Sequence, residues 1–168
     1  MADAKVTIAD LPGFEARHAD LDGVTTRYFA SGEGEPVLLV HGLGGGASNW
    51  VLLAPALAAR RRVLAVDLPG HAGSSPLPSV PALASFADLL RLLLEHERAT
   101  PATVVGHSFG GALALVLAAR HPDAVRALML VSSVGARRES PLERAVIRVV
   151  GTVRPGRLVA PWHRRIGR

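Results

Sequence analysis

The sequence predicts an α/β fold: a mostly parallel sheet of about six strands, with an N-terminal antiparallel hairpin and flanking helices. Three observations carry that prediction. Short, wholly apolar runs such as Val37-Leu38-Leu39-Val40 are typical of strands covered on both faces. Single helical segments separate these runs, which implies parallel strands joined by right-handed crossovers. The stretch Gly106-His107-Ser108-Phe109-Gly110 fits G-x-S-x-G between a strand pattern and a helix pattern, the context of a nucleophile elbow.

The elements follow in order. Glu15 to Asp20 and Val24 to Ala30 flank Asp22-Gly23, a strong hairpin signal. Val37 to Val40 is the first buried strand. After it comes His41-Gly42-Leu43-Gly44-Gly45-Gly46-Ala47-Ser48-Asn49, whose glycines let backbone N–H groups approach a ligand. A phosphate loop is the rival reading, but no Gly-Lys-Ser/Thr follows and G-x-G-x-x-G is not matched. A helix is expected from about Trp50 to Ala59, capped by Ser48 or Asn49. Arg62 to Val66 is the next strand, ending in a turn-rich loop, Asp67 to Ser75. Pro81 opens a helix through about Glu97, with Leu83, Phe86, Leu89, Leu90 and Leu93 at helical spacing. Ala102 to Val105 is the strand before the elbow, Gly111 to Arg120 the helix after it, and Arg126 to Val131 the last strand. His41-Gly42-Leu43, Asp67 to Ser75, Ser108 and Ser132-Ser133 all follow strand ends, so they should gather on one edge of the sheet.

Within the elbow, the residues two before and two after the serine must lack bulk, and glycine stands at both. The next peptide N–H lies at a helix N-terminus, where it can stabilise an oxyanion.

Composition narrows the remaining classes. The chain has 168 residues, 49% of them hydrophobic, enough for one domain with a real core. Cysteine is absent, which excludes a disulfide scaffold and any cysteine-ligated metal. No metal or cofactor motif is present. With no signal-peptide pattern and no apolar run long enough to span a bilayer, a cytoplasmic location is expected. Charge is uneven: residues 1–136 hold 10 Lys+Arg against 12 Asp+Glu, a net of −2, and residues 137–168 hold nine Arg against two Glu, a net of +7. The basic tail lacks a nucleic-acid motif, so no specific nucleic acid is expected as partner. Weak contact with an anionic surface is the alternative to a solvated helix face, read over roughly Leu142 to Val153.

Three strand-end motifs stand in the order and spacing of the α/β-hydrolase superfamily, which this chain resembles over about residues 14–136. They are Val-Leu-Leu-Val-His41-Gly42, Asp67-Leu-Pro-Gly70-His71-Ala72-Gly73-Ser74, and Gly106-His-Ser108-Phe-Gly110. Ala72 departs from the pattern, since members usually carry glycine there. The resemblance implies Ser108 as nucleophile, the backbone N–H groups of Leu43 and Phe109 as oxyanion hole, and Gly42, Gly44 and His107 as substrate-facing positions. A serine at the elbow implies acyl transfer through an acyl-enzyme on a small-molecule ester-type substrate. The glycine-rich loop looks like that of carboxylesterases and of hydrolases cleaving carbon–carbon bonds in dienoic acids. The resemblance also implies two regions, residues 1–136 as the N-terminal part of the hydrolase core and 137–168 as the basic start of a cap or lid.

In that superfamily the triad acid and histidine follow the serine. Here Asp123, Glu139, Glu143, His121 and His163 follow it; no strand places His163, which belongs to the basic tail, and Glu139 could serve as the acid only as a substitute reaching in from the lid. His121-Pro122-Asp123 reads as a helix stop, and His41 and His71 as rings that anchor loop backbone. The chain therefore reads as the first part of a hydrolase that stops shortly after entering the lid, with impaired activity and a self-associating sheet edge. The alternatives are a non-catalytic pseudo-hydrolase that binds a ligand or partner, and an interaction module built on the basic tail.

Overall fold

A computed structural model describes residues 10–78 and 81–135. The expectations for residues 137–168, the amphipathic helix and the lid among them, lie outside the described residues. Six strands form one sheet, in the order β1-β2-β4-β3-β5-β6, from β1 (Glu15–Leu21), β2 (Val24–Ser31), β3 (Pro36–Val40), β4 (Arg62–Val66), β5 (Ala102–His107) and β6 (Val125–Val131). β3 lies parallel to β4 and β5, β5 parallel to β6, and β2 antiparallel to β1 and β4. This is the mostly parallel sheet with an antiparallel N-terminal hairpin that the sequence predicts.

The hairpin forms because Leu21 pairs with Val24 across a two-residue turn. Asp22 and Gly23 both take positive φ, +54° and +77°, as the turn that matches strand twist requires. The Asp20 carboxylate accepts the Gly23 N–H at 2.8 Å.

Period-two alternation divides the central strands between two cores. Leu38, Val40, Leu64, Val66 and Val104 face α2 (Leu83–His96) and α3 (Phe109–Arg120). Val37, Leu39, Val63, Ala65 and Val105 face Trp50, Ala54 and α1 (Ala54–Ala58). Both faces of the parallel strands are covered, hence their wholly apolar composition.

One helix departs from expectation. The segment expected to be a helix from Trp50 to Ala59 is instead a single 3-10 turn, Ala47–Trp50, followed by the short α1. Pro55 in the first turn of α1 explains the late start, because proline suits helix entry and breaks a helix interior. The turn begins at Gly46, not at Ser48 or Asn49. Asn49 works from inside it, its Oδ1 accepting the Gly46 N–H at 2.7 Å. Likewise α2 begins at Leu83, after an extended Ala82, and not at Pro81.

Candidate active site

The parallel strands deliver their C-terminal ends to one edge, and the loops beyond them touch. Ser108 stands between β5 and α3 with φ 51° and ψ −115°, a region that costs a non-glycine residue on the order of 1–3 kcal/mol. Its neighbours enforce this conformation. A Cβ on Gly106 would lie 2.5 Å from the Gly110 carbonyl oxygen, and one on Gly110 would lie 2.3 Å from the Val40 oxygen. Both obstacles are backbone and cannot move aside, so both positions need glycine. The first turn of α3 therefore rests directly on the end of β3. The Ser108 N–H donates to the Val131 carbonyl at 2.9 Å and the Val134 N–H to the Ser108 carbonyl at 3.2 Å, which locks the elbow to the loop after β6.

The glycine-rich loop lies against the elbow. A Cβ on Gly42 would sit 3.2 Å from the Ser108 Cβ and 3.0 Å from His107 Nδ1. Gly44, with φ +73°, turns the chain, and Gly45 N–H closes on the Gly42 carbonyl at 3.1 Å. The Leu43 and Phe109 N–H groups have no hydrogen-bond acceptor among the described residues. The Leu43 side chain is half exposed, whereas the Phe109 ring packs edge-on against Phe86 at 5.8 Å.

Three buried polar residues, His41, His71 and Asp67, hold these loops. His41 is fully buried. Its Nε2 accepts the Leu68 N–H at 3.0 Å, which places the ring proton on Nδ1, 2.7 Å from the Gly42 oxygen. Burial draws its pKa down to about 4, so the neutral ring is the folded form. His71 Nδ1 lies 3.0 Å from the Pro69 oxygen. Both histidines anchor loop backbone, as the sequence suggests.

Asp67 is fully buried as well, and nothing in the sequence reading gave it a role. The signals available were its place directly after a strand, ahead of Pro69-Gly70 and Gly73, and its position at the head of the second strand-end motif. Its Oδ1 accepts the Ala47 N–H at 2.7 Å, and its Oδ2 accepts Arg27 Nε at 2.6 Å and the Gly73 N–H at 3.2 Å.

Among the described residues, the acid and the histidine that follow the serine lie elsewhere. The Ser108 hydroxyl has no hydrogen-bond partner among the described residues. His121 caps the far end of the 12-residue α3, roughly 18 Å from Ser108 along the axis, and pairs with Asp88 at 2.7 Å. Asp123 lies in the turn after it. Ser133, after β6, bonds the Val134 carbonyl and fills the space beside Gly111. Among the described residues no cluster of three or more His, Cys, Asp or Glu is arranged for a metal, and no helix is long and apolar enough to cross a membrane.

A strained serine on a strand–helix turn, beside a glycine loop at the C-terminal edge of a parallel sheet, defines a class of protein. The family model for the alpha/beta hydrolase fold matches residues 35–153, and the chain belongs to that family. Among its relatives, the dihydrolipoyllysine-residue acetyltransferase component of the acetoin cleaving system of Pseudomonas putida is 41% identical over 119 residues, 70% of this chain and 32% of that protein. A 2-hydroxymuconate semialdehyde hydrolase from a Pseudomonas species is 39% identical over 117 residues, 67% of this chain and 41% of that protein. The solved meta-cleavage product hydrolase of Pseudomonas fluorescens superposes with a TM-score of 0.69 at 32% identity, covering 73% of this chain and 47% of that one. The chain thus spans less than half the length of these relatives.

Proposed function

We propose that the protein is a serine hydrolase acting on an ester or related acyl substrate, with Ser108 as nucleophile and the Leu43 and Phe109 N–H groups as oxyanion hole. The observation that carries this is the Ser108 backbone: strain at φ 51°, held where a Cβ on Gly106 or Gly110 would strike backbone, is the geometry a nucleophile elbow requires. The two unspent N–H donors, Phe109 next to the serine and Leu43 in the loop whose Gly42 lies against it, support the acyl-transfer reading. Attack by the Ser108 oxygen on the acyl carbon would form a tetrahedral oxyanion. Expulsion of the alcohol would leave an acyl-serine, and water would release the acid.

A general base must take the serine proton, and among the described residues none hydrogen-bonds the Ser108 hydroxyl. This favours a second reading, a non-catalytic member that binds a small molecule or partner at the elbow. A fluorophosphonate probe separates the two. The hydrolase reading expects labelling that Ser108→Ala abolishes, and an inert serine supports the binding reading. Turnover of a short p-nitrophenyl ester by the 168-residue chain should be slow, within the ~10³–10⁴-fold over water that an oxyanion hole and binding alone sustain.

A further inference from the structure

We propose that Asp67 is a positioning residue for the glycine-rich loop, fixing the 42–47 backbone and through it the Leu43 donor. This rests on the oxyanion reading above. One carboxylate joins three segments: Oδ1 holds Ala47 of the loop after β3, while Oδ2 holds Gly73 of the loop after β4 and Arg27 of β2. The site is built to admit these groups. A Cβ on Gly46 would lie 3.2 Å from Asp67 Oδ1, and one on Gly73 would lie 2.2 Å from Arg27 Nε, inside the guanidinium. Both glycines therefore make room for the charge pair. Arg27 is fixed in turn by Phe29, whose ring centroid lies 5.1 Å from the guanidinium carbon. Ser74 closes the arrangement, its hydroxyl donating to the Asp67 carbonyl at 2.7 Å and accepting the Arg27 N–H at 2.8 Å.

An ionised carboxylate suits this place because all three of its partners donate. In Asp67→Asn the amide must turn one N–H₂ group toward a donor. With Arg27 and Gly73 on one side, the asparagine oxygen goes to them and the Ala47 N–H loses its acceptor. Substituting Arg27→Gln as well gives the asparagine N–H₂ an acceptor and returns its oxygen to Ala47, so that only the longer Gly73 contact is left without its acceptor.

The test is amide hydrogen exchange, read together with fluorophosphonate labelling of Ser108. In Asp67→Asn, exchange at Gly45, Gly46 and Ala47 should accelerate about tenfold or more, the size expected for one lost charge-assisted hydrogen bond, while β3 and β5 stay protected. Labelling should slow by a similar factor, and Arg27→Gln should restore both in the double variant. Glu97→Gln, destabilised at another site, controls for a general loss of stability and should leave the loop amides unchanged. If Asp67→Asn does not fold, Arg27→Lys, which keeps the charge but lacks the Nε donor, should loosen the same amides more mildly. Unchanged exchange at residues 45–47, or acceleration spread over the whole sheet, overturns the proposal. A wild-type chain that resists the probe while the exchange pattern holds overturns the serine-hydrolase reading alone.

Discussion

Ser108 and Gly106 pull stability in opposite directions. The serine holds a left-handed backbone that glycine adopts freely, so Ser108→Gly should stabilise the fold by roughly 1 kcal/mol in urea denaturation while removing the probe-reactive group. Gly106→Ala would drive a Cβ into the Gly110 carbonyl, and should cost about 3 kcal/mol or more by the same assay. Ala72 is a smaller instance of the same strain: with φ 45° it adopts the conformation for which the family's usual glycine is suited. His41 makes the prediction about pH. Its pKa falls from 6.5 to about 4 on burial, so the unfolded chain binds more protons between these values. The stability it contributes is complete above pH 6.5 and is lost as pH falls toward 4, by about 3 kcal/mol at most. A denaturation series from pH 7.5 to 4 should show this slope, and His41→Asn should flatten it.

Glu97, the last residue of α2's cap, shows how an element end is pinned. Its carboxylate accepts the Tyr28 hydroxyl at 2.5 Å and Arg17 at 3.1 Å, and pairs with Arg62, joining α2 to β1, β2 and β4. Burial pushes the Glu97 pKa up, yet the hydrogen bonds from Tyr28 and Arg17 and the two arginine charges hold it below the usual carboxylate range. Burial, followed by the bond to Glu97, raises the Tyr28 hydroxyl to about 12. Tyr28 is 2% exposed, so Glu97→Ala would strand its hydroxyl in the core. The expected cost is about 2 kcal/mol in urea denaturation, because the partly exposed arginines keep access to water. Tyr28→Phe, which removes donor and demand together, should cost about 1 kcal/mol.

For the molecule as a whole the last strand matters most. β6 pairs with β5 on one side, and among the described residues nothing pairs its outer edge. Met129 is 56% and Val131 40% exposed there, an apolar edge with free backbone donors and acceptors. A second copy offering the same strand satisfies these groups. The 168-residue chain expressed alone is therefore expected to self-associate. Sedimentation velocity at tens of micromolar should show species that grow with concentration, and Met129→Lys should reduce them. A monomer independent of concentration would count against this expectation.

Much of this was legible in the amino-acid order because it depends on local chemistry. Asp22-Gly23 marks the hairpin, wholly apolar tetrads the covered strands, and glycines two residues either side of Ser108 the elbow, because each is a pattern of contiguous residues, although the contact that demands Gly110 is with Val40, far off in the chain. His71 is readable as a loop anchor for the same reason, its partner being Pro69, whereas His41 bonds Leu68, 27 residues away, as well as its neighbour Gly42. The break after Trp50 leaves no trace in the apolar run itself, and Pro55, which suits a helix entry, is its local mark. The roles of Asp67 and Glu97 were not legible. Their partners lie 40 residues away at Arg27 and 80 residues away at Arg17, and only the folded sheet brings them together. A carboxylate in a sequence looks the same whether it is solvated or buried. What decides is whether distant donors converge on it, and that convergence is a property of the strand order β1-β2-β4-β3-β5-β6.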